Sequence, residues 1–217
     1  MMMTARVALI HALAHSMAPI NEEMARSWPG CERMNLLDDS LSADLARSGR
    51  GLDAAMHQRF EALAAYAQST GAQAILFTCS AFGPCIDAVA ARRPGMPVLK
   101  PNEAMVAEAA ALGRRVGLIA SFAPTLASMP PEFPPGVEVV TCLAEGALEA
   151  LNQGDVAGHD ARVVAAALWL QQQGCDVIAL TQFSMARAQA AVQQVLDLPV
   201  LTTPASAVRL LRQRLGA

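Results

Sequence analysis

Two apolar runs of the same form limit the folds open to this chain. Residues 74–80 read AILFTCS and residues 177–184 read VIALTQFS, so each run ends abruptly in polar residues. The first run delivers Cys79 at its end, and the second has Gln182 at the matching place. Apolar runs that do not alternate with polar residues are typical of strands buried on both faces of a parallel sheet.

Helical periodicity separates these strand-like runs. Apolar residues recur at helical spacing over residues 52–69 and 160–173, and Gly71 and Gly174 follow as helix-ending glycines. Residues 38–40 are predicted as a loop. Further short apolar runs, all predicted as strands, lie at residues 6–10, 34–37, 97–99, 115–120, 137–141 and 199–201. Alternating strands and helices predict an α/β fold with parallel sheets flanked by helices, in which ligands bind at the carboxyl ends of the strands.

The two halves of the chain repeat each other. Gly71 precedes Cys79 by the same eight residues that separate Gly174 from Gln182, and each strand is followed by a Pro-Val-Leu segment. The run at residues 6–10 matches the run that starts at Arg115, and the offsets between the halves range from 102 to 109 residues. Such ordered matches favour a diverged duplication over chance.

A duplication predicts two similar lobes related by a pseudo-twofold axis, with an active-site cleft between them. The N-terminal lobe is predicted to span residues 1–100 and the C-terminal lobe residues 101–204. A last helix, residues 205–217, is predicted to pack back on the N-terminal lobe. Cys79 would then lie on one wall of the cleft and Gln182 on the other.

The order of these segments resembles the aspartate/glutamate/hydantoin racemase superfamily, which also includes arylmalonate decarboxylase and maleate isomerase. Residues 71–80, residues 113–121 with Thr125, and residues 176–180 carry the resemblance, which spans nearly the whole chain. In that superfamily two cysteines face each other and exchange a proton with the carbon next to a carboxylate. The resemblance implies an enzyme that needs no metal or cofactor, and relatives are often dimers.

Gln182 departs from the pattern of that superfamily because an amide cannot exchange protons at neutral pH. Three functions stay open. The leading hypothesis is a cofactor-independent racemase or isomerase that moves a proton at the carbon alpha to the carboxylate of a small acid, such as an amino acid or hydantoin. The alternative is a decarboxylase or other lyase that uses the single thiol. The third is a small-acid binding protein without catalysis.

Three residues are candidates for the chemistry. Cys79 follows a strand and precedes a predicted helix, and a thiol near a helix N-terminus can act as a base. Gln182 stands where the second thiol would act, and His11 lies on another strand end, where it could supply an acid or a base. Hydroxyl groups near the strand ends are candidate substrate ligands, although each could instead cap a helix: Thr78, Ser80, Ser121, Thr125, Thr181 and Ser184. The segment from Ser121 to Thr125 is predicted as a loop.

Composition excludes several other classes. The formal net charge is -3 and no basic run occurs, which argues against a nucleic-acid surface. No apolar run approaches the ~18 residues that span a bilayer, and His11 interrupts the one segment that imitates a signal peptide. The five cysteines form no CxxC, which favours reduced thiols over a disulfide framework or a zinc site. We therefore expect a cytoplasmic protein, a homodimer, whose partner is a small carboxylate-bearing substrate.

Overall fold

The computed structural model describes residues 4–217, which divide into two compact units. Unit 1 comprises the described residues up to Pro101 together with Ala207–Ala217, and unit 2 comprises Asn102–Ser206. Unit 1 is therefore built from two separate segments of chain, and unit 2 is continuous. No helix among residues 4–217 is both long enough and apolar enough to cross a membrane.

Unit 1 contains a four-stranded parallel sheet in the order β2-β1-β3-β4. The strands are β1 (Arg6–His11), β2 (Glu32–Leu37), β3 (Ala74–Phe77) and β4 (Val98–Leu99), and the helices are α1 (Met17–Ser27), α2 (Ser40–Ser48), α3 (Ala54–Ser69) and α4 (Gly83–Ala91). Phe60 stacks on Phe77 with ring centroids 5.2 Å apart and lies 4.9 Å from the ring of Phe82. This aromatic cluster joins α3 to the end of β3 and to the turn that follows it.

Unit 2 contains a second four-stranded parallel sheet, in the order β6-β5-β7-β8. Its strands are β5 (Arg115–Ala120), β6 (Glu138–Leu143), β7 (Val177–Leu180) and β8 (Val200–Thr202). Its helices are α5 (Glu103–Leu112), α6 (Ala123–Ser128), α7 (Ala147–Asn152), α8 (Val156–Gln172) and α9 (Gln189–Gln193). The last helix, α10 (Thr203–Leu215), begins among the residues of unit 2 and ends among those of unit 1.

The two sheets repeat one arrangement, which confirms the prediction of two similar units with parallel sheets flanked by helices. The strand order is the same in both when β1 is matched to β5. The register also repeats, because Ile10 pairs with Phe77 in the first sheet as Ile119 pairs with Leu180 in the second. Equivalent residues therefore leave the carboxyl edge of each sheet.

The helix that leads into each central strand begins and ends in the same way in both units. The Asp53 carboxylate accepts a hydrogen bond from the Met56 N–H (3.0 Å) and caps α3, and Asp155 caps α8 in the same way. After each helix, Gly71 and Gly174 adopt left-handed φ angles of 86° and 77°. Only glycine adopts this conformation without strain, so these glycines end the helices and turn the chain into β3 and β7.

Helices begin within two segments predicted as loops. The loop at residues 38–40 runs directly into α2, which begins at Ser40 and ends at Ser48, before Gly49, a glycine with φ of 62°. In the predicted loop at residues 121–125, helix α6 begins at Ala123. Pro124 lies in the first turn of α6, where its missing N–H costs no hydrogen bond, so this proline did not exclude a helix.

Candidate functional site

Cys79 lies at the carboxyl edge of the first sheet. β3 ends at Phe77, and Cys79 is the extended residue (φ -125°, ψ 119°) that begins a 3-10 turn over Ser80–Phe82, which runs into α4. Burial raises the pKa of the Cys79 thiol, and hydrogen bonding of the thiolate by the Ala81 N–H and the Ser42 hydroxyl opposes the rise without cancelling it. The resting group is therefore a protonated thiol at neutral pH.

The surroundings of this thiol are largely apolar. A narrow gap beside Cys79, too tight to hold a water molecule, is lined by side chains from β1, α2, α3 and β3: Ile10, His11, Ala12, Leu41, Phe60 and Phe77. This lining and the small number of hydrogen-bond donors leave the sulfur few ways to hold a negative charge. Burial has the largest effect on its pKa, and Ala81 and Ser42 are the groups that favour the thiolate.

His11 is the last residue of β1 and is fully buried. Its Nδ1 lies 2.9 Å from the Thr78 hydroxyl, and its Nε2 lies 3.0 Å from Oδ1 of Asn35. Asn35 Oδ1 accepts and cannot donate, so Nε2 carries the proton and Nδ1 accepts from Thr78. Burial lowers the pKa of His11, and the hydrogen bond with Asn35 only partly offsets this. His11 is thus a neutral imidazole with both nitrogens occupied, and its predicted role as an acid or base stays a prediction.

The threonines that follow β3 and β7 contact the neighbouring strand in both units. The Thr181 hydroxyl donates to the Ile119 carbonyl (2.8 Å), and the Thr78 hydroxyl lies 3.4 Å from the Ile10 carbonyl. Both threonines are buried. The Thr78 hydroxyl gives its one proton to His11 and the Thr181 hydroxyl gives its proton to Ile119, so both hydroxyls have a structural use beside the next residue, Cys79 in one unit and Gln182 in the other.

Gln182 lies at the carboxyl edge of the second sheet and is bound there by Ser121. Its Oε1 accepts hydrogen bonds from the Ser121 N–H (2.6 Å) and from the Ser121 hydroxyl (2.9 Å). A backbone N–H can only donate, so the amide cannot turn over without losing this bond. No residue in the described part of the chain accepts a hydrogen bond from Nε2, which leaves two donors at this edge. The second unit therefore offers hydrogen-bond donors and no titratable acid or base at this position.

The other predicted substrate ligands lie at the starts of turns and helices. Ser80 opens the 3-10 turn after Cys79, and Ser184 lies in the 3-10 turn that follows Gln182. Thr125 is a buried residue of α6, whose first residue follows Phe122. Neither Ser80 nor Ser184 caps its turn through a side-chain hydrogen bond, because the capping positions belong to Cys79 and Gln182. Their predicted role in substrate binding stays a prediction.

Two residues of unit 1 take part in the site and were not predicted. Ser42 comes from α2, a helix that was not predicted, and its hydroxyl acts to lower the pKa of Cys79. Asn35, on β2, fixes the tautomer of His11 and exchanges hydrogen bonds with the amide of Asn21 (2.9 and 3.1 Å). Within residues 4–217, no group of three or more His, Cys, Asp or Glu side chains is arranged to hold a metal ion.

Comparison with known proteins decides the family. The family model described as Asp/Glu/Hydantoin racemase matches residues 14–211, which is most of the chain. The chain belongs to this family. The sequence and topology described above agree with that membership, and the predicted resemblance is confirmed. A search of curated proteins by sequence found no significant match.

Solved structures of the same fold include racemases and a decarboxylase. The chain is similar to an aspartate racemase homologue from Pyrococcus horikoshii (14% identity, TM-score 0.74, 98% of this chain and 99% of that one). It is also similar to allantoin racemase from Klebsiella pneumoniae (18%, TM-score 0.69, 98% and 88%). A third is unliganded arylmalonate decarboxylase (19%, TM-score 0.68, 99% and 94%). At these identities the likeness shows the fold alone.

Proposed function

We propose that this chain is a racemase or isomerase that transfers a proton at the carbon next to the carboxylate of a small acid, without a cofactor, with Cys79 as the reacting thiol. The observation that carries the proposal is the position of Cys79, which follows the carboxyl end of β3 and begins the turn that leads into α4. Membership of the racemase family supports it, as do similar folds named as racemases.

The chemistry at Cys79 follows from its surroundings. As a thiolate, the sulfur takes the proton from the α-carbon, and the electron pair of that C–H bond passes into the adjacent carboxylate. As a thiol, it returns a proton on the face from which it took one. Inversion therefore needs a water molecule that protonates the opposite face, because the amide of Gln182 cannot do so. Hydrogen-bond donors at the start of the turn, such as the free N–H groups of a helix N-terminus, can stabilise the charge that develops on the carboxylate. Because burial raises the pKa of the thiol, proton abstraction should accelerate as the pH rises above neutrality.

Decarboxylation is the second candidate, and Gln182 is the observation that favours it. Its Oε1 is held by two donors of Ser121, and its amide cannot carry a proton to or from carbon. One thiol is enough when carbon dioxide leaves, because the electron pair of the broken C–C bond stays on the α-carbon and the Cys79 thiol protonates it. This step needs the protonated form, so its rate should be level near neutrality and fall as the thiol ionises. The similarity in fold to arylmalonate decarboxylase also supports this candidate.

Incubation in deuterated water separates the candidates. Single enantiomers of amino acids and hydantoins, and substituted malonates, are incubated with the protein and analysed for deuterium at the α-carbon, optical rotation and released carbon dioxide. Deuterium uptake with loss of rotation supports racemisation, and carbon dioxide release supports decarboxylation. Cys79→Ala should abolish either activity, and the control Cys142→Ala, which alters another partly exposed thiol, should retain it. Full activity in Cys79→Ala would refute both candidates, and binding without turnover would favour a binding protein.

A further inference from the structure

We propose that Ser42 is a positioning residue for Cys79, whose hydroxyl turns to donate a hydrogen bond to the sulfur whenever the thiolate forms. Its effect on catalysis rests on the proposed function of Cys79, but its effect on the thiol does not. The sequence offers no motif for this role, because Ser42 lies 37 residues before Cys79 and on a different element.

The first turn of α2 lies against the carboxyl edge of the first sheet. The Ser42 hydroxyl lies 3.4 Å from the carbonyl oxygen of Ala12, which directly follows β1. Leu41, its neighbour, is buried and lines the same narrow gap as Ala12 and Cys79. Ser42 therefore has two partners within reach, a carbonyl oxygen and a sulfur.

A hydroxyl suits both states of such a thiol. It carries one donor and two acceptor lone pairs, and it rotates freely about its C–O bond. Beside the neutral thiol, the Ser42 hydroxyl donates to Ala12 and can accept the weak S–H hydrogen bond. Beside the thiolate, it turns its proton to the sulfur. The bond to Ala12 is long at 3.4 Å, so giving it up costs little compared with a hydrogen bond to a charged acceptor.

Arg59 holds the first turn of α2 in place. From α3, its guanidinium donates to Asp38 (2.7 Å), to the Ser40 hydroxyl (2.5 Å) and to Asp44 (2.7 Å). Burial acts to raise the pKa of Asp38, but hydrogen bonds from Ser40 and Arg59 outweigh it and the pKa is lowered. The carboxylate of Asp38 thus stays ionised near neutrality. These bonds flank Ser42 on both sides in the sequence, so its distance to the sulfur is set by α3 and not by α2 alone.

The simpler alternative is that Ser42 only links α2 to Ala12 through its hydrogen bond to the Ala12 carbonyl. Such a tether would affect stability and leave the ionisation of Cys79 unchanged. A hydrogen bond to the thiolate instead predicts that Ser42→Ala raises the pKa of Cys79 by about one unit. Ionisation of the thiol is therefore the measurement that separates the two roles.

The rate of alkylation of Cys79 by iodoacetamide is measured from pH 6 to pH 11. Trypsin releases residues 60–92 as one peptide that holds both Cys79 and the buried Cys85, and its fragmentation assigns the label to one sulfur or the other. Below the midpoint of the pH profile, the thiolate fraction of Cys79 should be about tenfold lower in Ser42→Ala than in the wild type. The rate should fall about threefold, because a more basic thiolate is a better nucleophile.

Two further variants serve as controls. Ser42→Thr keeps a hydroxyl and should restore the pH midpoint, and Ser48→Ala, an exposed serine at the other end of α2, should not change it. An unchanged midpoint in Ser42→Ala would overturn the inference, whatever its stability. If Cys79→Ala keeps full activity while Ser42→Ala still shifts the midpoint, the proposed function fails and the inference about Ser42 stands.

Discussion

The hydrogen bonds between Gln182 and Ser121 allow a prediction that distinguishes the role of the Gln182 amide oxygen from that of its amide nitrogen. Gln182→Ala removes the acceptor of the Ser121 N–H and hydroxyl. Both bonds are partly buried, and each contributes about 1 kcal/mol net, although the hydroxyl can turn to water. We expect the free energy of unfolding to fall by about 2 kcal/mol. Gln182→Glu keeps two acceptor oxygens, and its carboxylate makes stronger, charge-assisted bonds, so it should be at least as stable as the wild type at pH 7.

The same pair of variants tests what Nε2 does. Gln182→Glu replaces the two Nε2 donors with an acceptor while it leaves the contact with Ser121 in place. If these donors serve the substrate, turnover is lost in both variants, although only Gln182→Ala is destabilised. If the amide matters only for its contact with Ser121, Gln182→Glu keeps its activity. Stability and activity must therefore be measured on both proteins.

The assay is hydrogen exchange at the Ser121 amide, combined with urea denaturation. Exchange at Ser121 reports directly on the bond at issue, and it should accelerate in Gln182→Ala and not in Gln182→Glu. Gln172→Ala, at an exposed position at the end of α8, is the matched control and should change the free energy of unfolding by less than about 0.5 kcal/mol. Unchanged exchange at Ser121 in Gln182→Ala, or equal loss of protection in both variants, would refute the reasoning.

Two further predictions concern unit 1. The Arg93 side chain is 7% exposed and donates to both carboxylate oxygens of Glu61 (3.0 and 2.6 Å), so Glu61→Gln should lower the free energy of unfolding in urea by about 3 kcal/mol. Arg93 lowers the pKa of Glu61. The contribution of this ion pair to stability is therefore complete above the unfolded carboxyl pKa of about 4.3 and is lost as the pH falls through the folded value. A Glu61→Gln variant as stable as the wild type at pH 7 would contradict this prediction. Burial lowers the pKa of His11, so its ring should titrate by NMR below the usual value of about 6.5. Its contribution to stability is complete above that pH and declines on acidification through the folded value, and a midpoint at or above 6.5 would show that His11 is not held neutral.

The parts of the fold predicted from sequence are those that local patterns specify. The unbroken apolar runs located β3 and β7, and Gly71 and Gly174 marked the ends of the preceding helices, because only glycine tolerates the left-handed turn found at both. Cys79 could be placed at a strand end for the same reason. The repeat could be predicted because the spacing from the helix-ending glycine to the strand end is the same in both halves.

The contacts that define the chemistry were not predicted, because they join distant segments. Gln182 and Ser121 are separated by 61 residues, and nothing in either segment names the other as its partner. Ser42 lies on α2, a helix that was not predicted because the polar residues at 38–40 indicate a loop. His11 was predicted to follow the strand at residues 6–10, whereas it is the last residue of β1 and its ring is buried between Thr78 and Asn35.

The division of unit 1 into two segments affects how the chain can fold during synthesis. The ribosome has made all of Asn102–Ser206, a continuous stretch, before it adds Ala207–Ala217, which complete unit 1. Arg212, in that late segment, donates to the carbonyl of Ser27 at the end of α1 (2.9 Å). Unit 1 is therefore the first unit to be started and the last to be completed. Until Ala207–Ala217 are made, its sheet lacks the packing of α10, and the apolar surface left exposed is available to chaperones.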